Sequence, residues 1–215
     1  MVFAVMACTM LLFSCGTGQS SSNEKLMAND VKDEIRIPDG WALGKGKEFV
    51  PATKAEQNLV SQQDTYQSAL FHGNTEEMKY YFYKECLPYY QKYFPGYSID
   101  EILNEFLESL SSDATKMIQA CSEKGLNISM YIEDVVREVE YGSDYLYVYN
   151  ICSRMEGVKK NTDTITYLHS TEPDLTLAIS HNKGKNWTFM AMTNEVPSIL
   201  RMYYPQEIIN KVMGY

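Results

Sequence analysis

The sequence predicts an α+β domain, with three N-terminal helices packed on a curved antiparallel sheet and short C-terminal helices. Between residues 53 and 121, apolar side chains recur at helical spacing behind three helix-start signals. From residue 127 the period changes, and segments rich in Ile, Val, Tyr and Thr alternate with short polar or glycine-bearing breaks. Breaks this short join neighbouring strands as an antiparallel meander, because parallel strands need a long crossover. Helices ahead of strands is the α+β order.

The chain opens on an apolar run, residues 2–13, that leads into Ser14-Cys15-Gly16. The run is short of the roughly 20 residues a spanning helix needs, and it matches the apolar part of a secretory signal. Run, small residue and cysteine together resemble the lipobox of bacterial lipoprotein precursors. The resemblance implies a signal peptide over residues 1–14, cleavage before Cys15, and acyl chains, palmitate among them, on that cysteine. Each buried acyl methylene then contributes about 0.8 kcal/mol to membrane attachment. The implied location is the bacterial cell envelope, in the outer membrane facing the periplasm. The alternative is an ordinary signal peptide cut elsewhere. No Lys or Arg precedes the run, although a signal normally opens with positive charge; the translation start is therefore expected upstream of Met1.

The formal net charge is −9. That argues against nucleic acid and against an anionic membrane face as partners, since both require basic patches. The membrane is expected as a partner only through the lipid. Residues 15–50 read as the lipidated cysteine, a flexible polar tether (16–24) and an irregular lead-in (25–50). Residues 51–215 are long enough for a single domain with its own core. Of five cysteines, Cys8 leaves with the signal and Cys15 is acylated. Cys86, Cys121 and Cys152 make no disulfide framework and no zinc spacing, so buried free thiols are expected. One disulfide plus one free thiol is the alternative.

Thr53 with Glu56 and Ser98 with Glu101 have capping-box spacing, and Asn74 with Glu77 is a close variant. The first helix is predicted over 53–72, ending near Gly73. The second is predicted over 75–94, kinked or split at Pro88. The third carries the clearest apolar stripe, Ile99, Ile102, Leu103, Phe106, Leu107, Leu110, Ala114, Met117, Ile118 and Cys121, and ends at Gly125. Strands are predicted over 127–141, 143–156, 163–170, 174–181 and 186–193. Short helices over 194–204 and 205–213 close the chain. The run Tyr66-Gln-Ser-Ala69-Leu70-Phe-His-Gly73-Asn74-Thr-Glu76, a second helix, a long third helix and the meander resemble the nuclear transport factor 2-like cone fold over residues 53–193. That resemblance implies a third helix lying across a bent sheet and a conical pocket. The strand that fold often places before its third helix is not evident here, and the C-terminal helices are additional.

Ser180-His-Asn182-Lys-Gly184-Lys-Asn-Trp187 resembles an Asp-box hairpin, with Asn182 in place of the usual aspartate. Ser180 and Asn182 suit bonds to the turn backbone, Gly184 suits positive φ and Trp187 suits packing beneath. A single copy implies a structural hairpin, without sialidase activity.

Tyrosines number 17. One group spans Tyr80, Tyr81, Tyr83, Tyr89, Tyr90, Tyr93 and Tyr97. A helix facing one core buries a single stripe, so Tyr80, Tyr83, Tyr90 and Tyr97 are expected to form an exposed binding patch. Tyr145, Tyr147 and Tyr149 share one strand face and read as core. Glu138, Glu140 and Asp134 are expected on one strand face, either solvated or lining a pocket as acid and base. His72, His169 and His181 lack metal-ligand partners at helical or strand spacing. No catalytic elbow, phosphate loop or dinucleotide fingerprint is present, so no cofactor or metal is implied. The leading expectation is a non-enzymatic envelope lipoprotein that binds a small ligand, a glycan or a protein. The alternatives are an enzyme using the conical pocket, of isomerase, dehydratase or hydrolase type, and a structural subunit of an envelope complex.

Overall fold

The computed structural model describes residues 37, 39–158 and 165–215. The expected signal peptide, Cys15 and the tether lie outside the described residues. The described chain is a mixed α+β domain with an open antiparallel sheet. In order its elements are β1 (Trp41–Leu43), α1 (Lys54–Phe71), α2 (Thr75–Tyr81), a 3₁₀ turn (Lys84–Cys86), α3 (Leu87–Gln91) and α4 (Ile99–Ser122). Then follow β2 (Leu126–Tyr141), β3 (Asp144–Val158), β4 (Ile165–Ser170), β5 (Asp174–Ser180), β6 (Thr188–Ala191), α5 (Val196–Leu200) and α6 (Gln206–Met213).

The local start signals act as read. Thr53 with Glu56 and Ser98 with Glu101 form complete capping boxes at α1 and α4, and Asn74 caps α2 through the Glu77 amide. Gly73, Gly125 and Gly214 follow α1, α4 and α6 at φ of 69°, 70° and 82°. That left-handed region favours glycine and stops a helix.

Three expectations are corrected. The described chain opens on a strand: β1, within the lead-in, pairs with β4, setting Trp41 against Ser170. The expected second helix is split, but at Phe82 rather than at Pro88. It ends at Tyr81 because Phe82 turns extended and bridges Phe189 of β6, and the Tyr83 N–H donates to the Phe189 carbonyl at 3.1 Å. Pro88 sits in the first turn of α3, where its missing N–H leaves no ladder bond unmade. The last helices are also shorter than 194–204 and 205–213, with Tyr203 and Tyr204 in the turn between them.

The sheet is not a simple meander. β3 is its axis. β2 pairs along one edge of β3. On the other edge, β5 pairs with residues 145–151 and β4 with 154–158, so consecutive strands lie end to end. β1 and β6 add to the outer edges of β4 and β5. β2 carries register shifts between Ile132 and Asp134 and between Val135 and Arg137, and such bulges bend a strand. The Tyr149 hydroxyl donates to Gln63 of α1. Arg137, paired with Val148, donates from Nη1 to the Val212 carbonyl of α6 at 3.1 Å. Tyr149 and Val148 are neighbours on β3, so α1 and α6 lie on opposite faces.

The main core joins Leu59 and Leu70 of α1, Met78, Leu87, Leu107 of α4, Leu146, Val148, Leu177 and Trp187, all essentially fully buried. The α4 stripe enters it through Ile102, Leu103, Leu107 and Ala114. Phe106 is only partly buried, at the margin of that stripe.

Candidate functional site

The tyrosines between 80 and 97 divide differently from the expected patch. Tyr80 and Tyr97 are exposed, at 78% and 39%, but Tyr83 and Tyr90 are buried, at 0% and 8%. The seven-residue spacing of Tyr83 and Tyr90 aligns them only on an unbroken helix, and the Phe82 bridge breaks it. Tyr83 is pulled against β6, and Tyr90 packs edge-on against Phe106 at 5.3 Å. The exposed aromatic surface here is instead Tyr93 and Tyr97, at 48% and 39%, with the half-buried Tyr89 packed against the core beside them. Tyr89 and Tyr93 meet edge-on at 6.0 Å, and the Lys92 ammonium lies 3.6 Å from the Tyr89 ring centre and 4.7 Å from that of Tyr93. Hydrogen bonds from Tyr89 and Lys92 hold the Tyr93 phenol below its usual pKa. Beside them, Phe94, Tyr97, Ile102, Glu105 and Phe106 line an open indentation with a cavity volume of about 10 Å³. Small-molecule pockets run to roughly 300–1,000 Å³, so this surface suits lateral contact better than enclosure.

The 180–187 hairpin is held by its own hydrogen bonds. The Ser180 hydroxyl accepts from the Gly184 N–H at 2.9 Å and donates to Asn182 Oδ1, which accepts from the Asn186 N–H at 2.8 Å. Trp187 is buried against Tyr147 at 4.9 Å. Its indole N–H donates to the Ala55 carbonyl at 3.1 Å, and its backbone N–H donates to Gln62 Oε1 at 2.8 Å. Asn58 and Gln62 donate back to the carbonyls of Gly184 and Lys185, both at 2.8 Å. The hairpin is thereby docked along one side of α1.

Tyr147 and Tyr149 are buried, and Tyr145 stacks on Tyr147 at 5.9 Å. The acidic face is corrected. Glu138 and Glu140 pair with Tyr147 and Tyr145, but Asp134 pairs with Asn150. The extra residue at Val136 inverts the alternation between them, so Asp134 faces away from the two glutamates and accepts from Asn150 Nδ2 at 2.7 Å.

Cys86, Cys121 and Cys152 are buried. Burial pushes the Cys86 thiol up to about 12 and the Cys152 thiol up to about 11, so neither is a thiolate at neutral pH. His72 and His169 meet the backbone carbonyls of Ser68 and Gly44, at 2.8 and 3.2 Å. His181 meets Asp144 at 3.0 Å.

No family model, curated protein or solved structure matches this chain. Among the described residues, no helix is long and apolar enough to cross a membrane, and no group of three or more His, Cys, Asp and Glu side chains is placed to hold a metal ion.

Proposed function

We propose that this chain is a non-enzymatic lipoprotein of the bacterial cell envelope, anchored through acylated Cys15, that presents an aromatic surface to a glycan or an envelope protein. The observation that carries the binding role is the exposed rings of Tyr93 and Tyr97, beside the half-buried Tyr89 and the Lys92 ammonium that lies over Tyr89 and Tyr93. Tyrosine offers a flat apolar ring with a polar tip, which suits sugar faces and protein partners. Exposed aromatic patches mark contact surfaces, and the negative charge of the chain disfavours nucleic acid as the contact. Within this reading the fold is cone-like, with α4 across the sheet. The contact of α4 with β2 and the two bulges that bend β2 support it.

The anchor is tested by Cys15→Ala. The variant should leave the membrane fraction for the periplasm, and mass spectra of the wild type should show lipid on Cys15. Retention of the variant in the membrane, with an unmodified wild-type cysteine, would refute the anchor. The surface is tested by Tyr93→Ala with Tyr97→Ala. The paired change should leave the denaturation midpoint nearly unmoved and reduce capture on glycan arrays or by cross-linked envelope proteins at least ten-fold. Unchanged capture on both would remove the binding role from this surface.

A further inference from the structure

Strand β2 pairs with β3 along one edge, and the direction of its other backbone groups follows from a single bond. In an antiparallel ladder the N–H and C=O of one residue point the same way, and successive residues alternate. The Ile132 carbonyl accepts from the Phe49 N–H at 2.8 Å, so Ile132 turns its backbone away from β3. Its partner Ile151 therefore turns away from β2. So do Tyr149, Tyr147 and Tyr145, because β3 keeps an unbroken register with β5 on that other side. Val135, Glu138 and Glu140 are the β2 partners of those three tyrosines, so their N–H and C=O groups point outward. Among the described residues, none outside β3 forms a backbone–backbone bond with residues 133–141.

The side chains along this edge are sorted by face. Glu138 and Glu140 lie on one face, both exposed and about 6.8 Å apart along the strand. Neither has an ion-pair partner among the described residues. After burial itself, Glu138, Glu140 and Glu56 hold the Tyr147 phenol above its usual pKa, the effect of negative charge gathered at this edge. On the other face, Val139 is buried and Tyr141 is 46% exposed. Charges on an open edge keep it from pairing with a second copy. A copy added there about a two-fold axis would set glutamate against glutamate, and like charges directly opposite destabilise a sheet. The same two carboxylates favour a strand that carries cations at the facing positions.

We propose that the outer edge of β2, from Val135 to Tyr141, accepts an extended basic segment of a partner protein as an added antiparallel strand, with alternate Lys or Arg side chains against Glu138 and Glu140 and an apolar side chain beside Tyr141. Backbone bonds supply the affinity, and the alternate side chains set the register. The surface lies on β2, whereas Tyr93 and Tyr97 follow α3, so the two surfaces are tested separately.

The test follows the anisotropy of a short labelled peptide, lysine alternating with valine, as the full chain is titrated in. Saturable binding is expected. The same peptide with glutamate for lysine should bind at least about ten-fold more weakly, and Glu138→Gln with Glu140→Gln should weaken the lysine peptide about ten-fold without moving the denaturation midpoint. Charge attraction alone would give as much, so backbone N-methylation decides the mode. Opposed residues whose backbones face each other exchange both bonds, and here those are the lysines and the two glutamates. N-methyl groups on the lysines should cost about ten-fold or more, and on the valines less than about two-fold. Equal loss from both sets, binding that survives the paired glutamine change, or no saturable binding overturns the proposal. A dimer of the full chain that the lysine peptide dissociates also overturns it, since a second copy is then the occupant.

Discussion

Replacing Trp187 with alanine should lower the unfolding free energy by about 3–5 kcal/mol, the usual loss for a large aromatic core residue. Three contacts are removed together. The indole fills the space between α1 and β3 and packs on Tyr147. Its N–H satisfies the Ala55 carbonyl. Its ring also forms the floor of the 180–187 turn, so the cavity lies beneath an element that cannot collapse without losing its hydrogen bonds to α1. A whole domain is stable by only about 5–15 kcal/mol, so the variant should unfold at much lower urea while remaining cooperative. Urea denaturation followed by tyrosine fluorescence and circular dichroism measures this. A loss below about 1 kcal/mol would mean that the hairpin rests on the domain without forming part of its core.

The elements legible in the sequence are those set by neighbours in the chain. Thr53 with Glu56 and Ser98 with Glu101 bond within one turn, so four residues suffice to read a helix start. The α4 stripe repeats over 24 residues, and no distant contact competes with it. The turn built by Ser180, Asn182 and Gly184 is equally local.

What was not legible is what long-range pairing decides. The second helix stops at Tyr81 because Phe82 finds Phe189, more than 100 residues away. That single bridge reverses the fates of Tyr83 and Tyr90 and leaves Tyr93 and Tyr97 outside. The β2 bulges leave no local mark, since Glu133 and Val136 differ little from ordinary strand residues, yet one of them separates Asp134 from Glu138. β1 is three residues long in a glycine-rich segment and exists only because β4 offers it an edge. The contacts of His181 with Glu85 and Asp144, and of Asp144 with Tyr204, need the 3₁₀ turn, the start of β3 and the turn after α5 together, and no spacing rule joins those three places.

Gly184→Ala should destabilise the domain by about 2–5 kcal/mol, and a second glycine within the same chain provides the control. Gly184 has φ of 75°. A side chain in that left-handed region costs about 1–2 kcal/mol. Gly125, after α4, has φ of 70° and open space where a Cβ would sit, so Gly125→Ala should show that backbone cost alone. At Gly184 the added Cβ would lie 2.4 Å from Ala55 Cβ and 2.9 Å from Ala55 Cα. Ala55 is in the first turn of α1, behind the Thr53 capping box, and a helix backbone does not swing aside as a flexible side chain does. The hairpin must lift instead. Lifting stretches the bonds from Asn58 and Gln62 and unseats Trp187. Overpacking of this kind adds about 1–3 kcal/mol to the backbone cost. The decisive quantity is the difference between the two variants in the same denaturation experiment. If Gly184→Ala costs no more than Gly125→Ala, the hairpin is not pressed onto α1. An excess of about 1 kcal/mol or more, shared non-additively with Trp187→Ala because both act through one interface, would place the turn and the indole in a single packing unit.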